Sequence, residues 1–201
     1  MIYYYSKSNQ HKTNLNLEQF ALEFEKIKNA NIIPASSIDK YKNALIDSYQ
    51  KEENKIFNYT GNENYYFPIT ICNEEIRIHF NISKALSITK TKEHLIQNIP
   101  IEQFTTDIIN TNNANILYMQ ANTHNYKFQS NLSPIIIIDF KIGNNYHLVI
   151  DGNHRVSYCK EYNISNINAI YLDYKEAIDL ISSIFEKNLY SFYIFTAKFS
   201  N

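Results

Sequence analysis

The chain has no tryptophan, two cysteines, two arginines, three glycines and four prolines in 201 residues. Cys72 and Cys159 stand far apart with no CxxC and no neighbouring ligand cluster, which excludes a zinc site or a disulfide framework. Both read as free, semi-buried thiols; Cys159 falls in a predicted helix, where a structural role is favoured over a nucleophilic one. Uninterrupted apolar runs stay well short of a membrane span, and the opening "MIYYYSKSNQHK" leads into no apolar signal region. The expectation is a cytoplasmic protein with no membrane partner. The net charge is −1 and the lysines are scattered, so the electrostatic footprint of bulk nucleic-acid binding is not indicated.

What is present in quantity is asparagine, 28 residues, with 17 lysines and 17 tyrosines. That bias fits AT-rich coding, in which lysine serves wherever a plain positive charge suffices. An arginine in such a chain invites a specific reason. The hydrophobic fraction of 44% and aromatic fraction of 14% describe a folded chain with a sizeable core.

The first third reads as helical. Leu17, Phe20, Ala21, Phe24 and Ile27 recur at helical spacing behind Asn16, a ready N-cap. Pro34, Ser36 and Ser37 open a second helix with Ile38, Tyr41, Leu45 and Tyr49 on one face. Gly61 and its asparagine-rich surroundings break that pattern. "YYFPITICNEEIRIHFNI" then alternates as a hairpin, strands 65–72 and 75–82 turning at Asn73–Glu74. Residues 84–98 are predicted helical, ending before Pro100. His79 and His94 read as surface or internally satisfied histidines, since no second ligand stands at metal spacing. Residues 110–131 read either as a helix with long flanks or as a mobile loop.

The last 70 residues show the clearest order. "SPIIIIDF" is the apolar run of a strand covered on both faces. It is followed by a turn at "KIGNN", a strand "YHLVI", a turn into a helix at "DGNHRVSYCKEYNI", a strand "INAIYL", and one closing helix over residues 174–195. The fold class is α+β.

The segment "LVIDGNHRVSYCKEY", residues 148–162, spends one of three glycines and one of two arginines three residues apart. Gly152 at a strand-to-helix bend would let a ligand approach the backbone, above unpaired N–H groups at the positive end of a helix. Arg155 offers a two-pronged grip on phosphate, or else an ordinary salt bridge. Asn153 and His154 add donors. Asp151 is either a helix N-cap or a magnesium ligand or base.

With "SPIIIIDF" before it, "INAIYL" after it and "IPIEQF" (99–104) upstream, this segment resembles the ParB/sulfiredoxin superfamily over about residues 98–174. The nearest pattern is the DG[HN]HR branch that includes free serine kinases. The resemblance implies a small mixed sheet with flanking helices over 98–201, behind a helical and β-hairpin extension over 1–97. It implies a catalytic Asp151, assisted by His154 and by Asp107 or Glu102 upstream. Gly152, Asn153, His154, Arg155 and Ser157 would be the phosphate-binding residues, ATP or another nucleoside triphosphate the ligand, and Mg2+ on Asp151 the metal. The reaction would be phosphoryl transfer to an unknown small-molecule or protein acceptor, or hydrolysis; a non-catalytic nucleotide-dependent switch or protein-interaction module is the alternative. Asn153 stands where sulfiredoxin carries its cysteine, which excludes peroxiredoxin repair. Tyr158 replaces the alanine of the partition proteins and no helix-turn-helix follows, so DNA partition is disfavoured. A two-metal nuclease would need a second carboxylate.

Overall fold

The first strand comes from four residues with no strand expectation attached. In the computed structural model, β1 (Ile2–Tyr5) buries Ile2 and Tyr4 and leaves Tyr3 and Tyr5 half-buried, the period-2 pattern of a sheet face. It pairs antiparallel with β2 (Gln10–Thr13) and parallel with β3 (Ile56–Asn58). Strands this short, one of them the polar "QHKT", carry almost no local signal. The described residues are 1–5, 10–60, 63–108, 114–124, 133–142, 145–196 and 199, so the predicted break at Gly61 and the turn at Gly143 lie outside them.

Between β2 and β3 run α1 (Leu17–Asn29) and α2 (Ala35–Glu52). Asn16 Oδ1 accepts from the N–H groups of Glu18 and Gln19, the predicted cap. The hairpin follows as β4 (Asn64–Ile71) and β5 (Glu74–Asn81). Its turn residues are Cys72 and Asn73, at φ +54° and +64°, one position earlier than predicted. Two left-handed residues match the twist of the flanking strands, and that requirement prevails over the poor suitability of a cysteine.

From residue 82 a second unit begins. α3 (Ile82–Lys90) ends eight residues before the predicted limit, and a 3₁₀ turn over Glu93–Leu95 leads to β6 (Gln97–Pro100). The shortfall has a tertiary cause: Gln97–Pro100 pairs antiparallel with a strand some seventy residues later. Then come β7 (Phe104–Thr105), β8 (Ile116–Leu117), β9 (Ile135–Ile142), β10 (Asn145–Asp151), α4 (Asn153–Glu161), β11 (Asn166–Leu172) and α5 (Tyr174–Asp179). The six-stranded sheet has the order β6-β11-β9-β10-β8-β7 and is mixed: β11 runs parallel to β9, and β8 to both β10 and β7. Both faces of β9 are buried, as its apolar run requires. Ile135 and Ile137 pack with Val149, Ala169, and Val156 and Cys159 of α4, while Ile136, Ile138 and Phe140 fill the other side. The region 110–131 contributes β8 and an irregular stretch after it; 110–113 and 125–131 lie outside the described residues.

The predicted closing helix is two, α5 and α6 (Ile184–Thr196). Ser183 caps the second, its Oγ accepting from the Glu186 N–H at 3.1 Å. Glu52, at the end of α2 and 1% exposed, accepts from Ser183 Oγ, Ile184 N and Phe185 N at 2.6, 2.9 and 3.1 Å. Glu186 in turn binds the N–H of His79 at 2.7 Å and its Nδ1 at 3.1 Å, so His79 is an internally satisfied histidine. These bonds draw the C-terminus to the N-terminal elements. The two units are Met1–Asn81 with Ile178–Asn201, and Ile82–Ala177, rather than a division at residue 97 with the closing helix in the second part.

Candidate functional site

Asp151 ends β10 and Gly152 turns the chain at φ +95°, ψ +16°. The left-handed conformation suits glycine, and space demands it: a Cβ here would lie 2.3 Å from Ile135 Cγ2 and 2.9 Å from Ile135 Cβ. The helical ladder of α4 opens with Val156 N–H donating to the Gly152 carbonyl at 3.0 Å. Gly152 is the N-cap, so the reading of Asp151 as cap is corrected, and no described side chain caps this end.

Asp151 has a different partner. Its Oδ2 accepts from Arg155 Nη2 at 2.8 Å, one helical turn on, and Arg155 Nη1 donates to the Ser133 carbonyl. The arginine side chain is 12% exposed and the aspartate 26%, so this is no loose surface pair. The fork is held beside the turn, not turned away to a distant carboxylate. His154 is exposed on the same turn.

Two residues expected to touch phosphate have structural duties. Asn153 Oδ1 accepts from Met119 N–H at 2.8 Å, and Ser157 Oγ from Ala121 N–H at 2.9 Å. Thr123 Oγ1 donates to Glu161 Oε2. The spacing has a simple cause. Four residues of helix advance about 6 Å and two of extended chain about 6.6 Å, so positions 153, 157 and 161 meet 119, 121 and 123 in step. Replacing Ser157 with alanine should cost about 1 kcal/mol and speed amide exchange at Ala121, read by hydrogen exchange. Unchanged protection there would show that the bond does not hold the strap.

Asp107 is not brought to the turn. Its carbonyl accepts from Asn145 Nδ2 at 2.9 Å, at the start of β10, and six residues of strand, about 20 Å, separate Asn145 from Asp151. Glu102 is exposed on the 3₁₀ turn before β7, and its carboxylate acts on Lys160 of α4, opposing the burial that lowers that amine's pKa. Lys160 lines a groove of about 480 Å³ with Tyr118, Gln120 and Ser157. Cys159 is fully buried and burial pushes its thiol up, against a nucleophilic role. Both cysteines are free.

One group escaped sequence reasoning. Asp139 of β9 and His147 of β10 are direct cross-strand partners, with His147 Nδ1 3.3 Å from Asp139 Oδ1, and the His147 ring meets Tyr171 of β11 edge to face at 5.2 Å. All three continue the alternation of Ile137, Val149 and Ala169, so they share α4's face of the sheet. The available signal was a carboxylate at the end of "IIIID". Burial and the Asp139 charge raise the Tyr171 phenol.

Among the described residues no three His, Cys, Asp or Glu side chains gather to hold a metal, and no helix is long and apolar enough to cross a membrane. Comparison with protein families, curated proteins and solved structures finds no match for this chain.

Proposed function

We propose that the unit Ile82–Ala177 binds a nucleoside triphosphate at the turn Asp151–Arg155 and transfers or hydrolyses its terminal phosphoryl group, as the resemblance to the ParB/sulfiredoxin superfamily implies. The observation that carries this reading is the Gly152 bend, which presents the N-terminal turn of α4 beside a held guanidinium. Asp151 and Arg155 neutralise each other in the free protein. A phosphate group and a cation can divide them: the phosphate takes the fork in two contacts, and Mg2+ takes the carboxylate. One carboxylate suffices for that ion, because Mg2+ draws its other ligands from water and from the phosphates themselves. His154, exposed beside the pair, adds a donor to the charge that spreads over the phosphoryl oxygens. Asp151 would hold Mg2+, whose charge would offset that of the phosphoryl oxygens.

A thermal-shift panel of ATP, ADP, CTP and GTP with magnesium tests binding, since a ligand at a hundredfold excess over its Kd stabilises by about 2.7 kcal/mol. Asp151→Asn tests turnover. It removes the carboxylate's charge at similar volume, and phosphate release should fall about a hundredfold or more, while metal-free nucleotide binding holds or tightens. Full turnover in that variant would leave Asp151 only a partner for Arg155. A wild-type protein that binds without converting nucleotide would be a switch. That reading draws on Asn153, which sits in the turn and also holds Met119.

A further inference from the structure

The strap that Asn153 and Ser157 hold runs beside α4 and borders a polar groove. One recess, of about 480 Å³, is lined in part by Tyr118, Ser157, Lys160 and Glu161. A second, of about 200 Å³, is lined in part by Glu102 and Thr105 and again by Tyr118 and Lys160, so the two meet at that pair. Their volumes suit a small molecule. The walls are already fixed, since Ser157 Oγ holds the Ala121 N–H and Tyr118 N–H donates to the Thr105 carbonyl at 3.0 Å. A ligand entering such a groove orders little that is not ordered beforehand.

The donors of the groove are unspent. Lys160, half-buried, forms no ion pair or hydrogen bond with any described residue, and neither does the hydroxyl of Tyr118, a residue only 7% exposed. Ser157 and Thr105 accept from the N–H groups of Ala121 and Asp107, and neither hydroxyl gives its own proton to a described residue. Burial lowers the Lys160 amine and Glu102 opposes that shift, so the ammonium is under-compensated and an anion would stabilise it. A bare inorganic anion would also meet Glu102 in one recess and Glu161 in the other, neither of them paired with Lys160. A ligand with hydroxyls of its own makes those carboxylates acceptors instead of repelling charges. We infer that this groove binds a small hydroxylated carboxylic acid, a sugar acid in kind and size. Its carboxylate lies on Lys160 and the Tyr118 hydroxyl, and its hydroxyls donate to Glu102 and Glu161. This site is independent of nucleotide binding at the Gly152 turn.

Ligand-observed NMR titration of the full chain tests this with glucuronate, galacturonate and gluconate. The controls are glucose, which lacks the carboxylate, propionate, which lacks the hydroxyls, and inorganic phosphate. At least one of the three acids should bind wild type about tenfold or more tighter than every control, the worth of one charge-assisted hydrogen bond. Lys160→Gln keeps most of the stem and removes the charge, and should bring that acid within about twofold of glucose. Lys160→Arg, which restores the charge, should recover part of the difference. Tyr118→Phe keeps the ring and guards against a folding defect in the first variant; it should weaken the acid about threefold. Failure of all three acids to bind, a control that binds as tightly as the acid, or an affinity unmoved by Lys160→Gln and Tyr118→Phe overturns the site.

Discussion

Gly152→Ala should destabilise the protein by about 2 to 5 kcal/mol and remove nucleotide binding with it. Two costs add. An alanine held at φ +95° sits where L-residues are disfavoured by about 1–2 kcal/mol. Its Cβ would also lie 2.3 Å from the Cγ2 of Ile135, a fully buried residue of the central strand β9. Ile135 has β10 on one side and β11 on the other, so relief must come from shifting the sheet, and overpacking of that kind costs about 1–3 kcal/mol. The third neighbour, Arg155 Nη2 at 3.0 Å, is the end of a flexible side chain and can move, at the expense of its bond to Asp151. Urea unfolding measures the loss. The double variant Gly152→Ala/Ile135→Val, which deletes one methyl group at the point of contact, should recover part of it. An unchanged midpoint in Gly152→Ala would mean that the bend is not built as described.

The second large effect is expected far from the candidate site. Glu52→Ala leaves the hydroxyl of Ser183 and the backbone N–H groups of Ile184 and Phe185 without their acceptor, in surroundings where Ser183 and Phe185 are fully buried. Breaking a buried charged group away from its partners costs about 3–5 kcal/mol, and that range is expected in guanidinium unfolding. Glu52→Gln keeps the shape and one acceptor oxygen, enough for Ser183 and Phe185, but turns an NH2 group towards the Ile184 N–H, so it should cost less than Glu52→Ala without being neutral. Equal losses in the two variants would show that packing, not the cap, holds the start of α6.

Some elements were legible because their causes lie within a few residues. Asn16 caps the helix beginning one residue later, the "IIII" run needs cover on both faces wherever it goes, and the hairpin alternates along its own length. The Gly152 bend was legible for the same reason. The division of the closing helix was also written locally: Ser183 and Glu186 stand at the spacing of a capping box, but the apolar pattern running through both helices masked it.

The sequence alone determined the α+β class, the apolar strands, the capped first helix and the turn that joins β10 to α4, since steric limits on φ and short-range hydrogen bonds act between near neighbours. Only tertiary structure decided that Arg155 grips Asp151 and the Ser133 carbonyl, and that Asp107 stands at the far end of β10. It also decided that Asn153 and Ser157 hold a strap, that α6 belongs with α2, and that Asp139, His147 and Tyr171 meet from three strands. The physical reason is the same throughout. Strand neighbours and helix partners are chosen by how apolar faces pack and by which buried polar groups find partners, and those terms couple residues far apart in the chain.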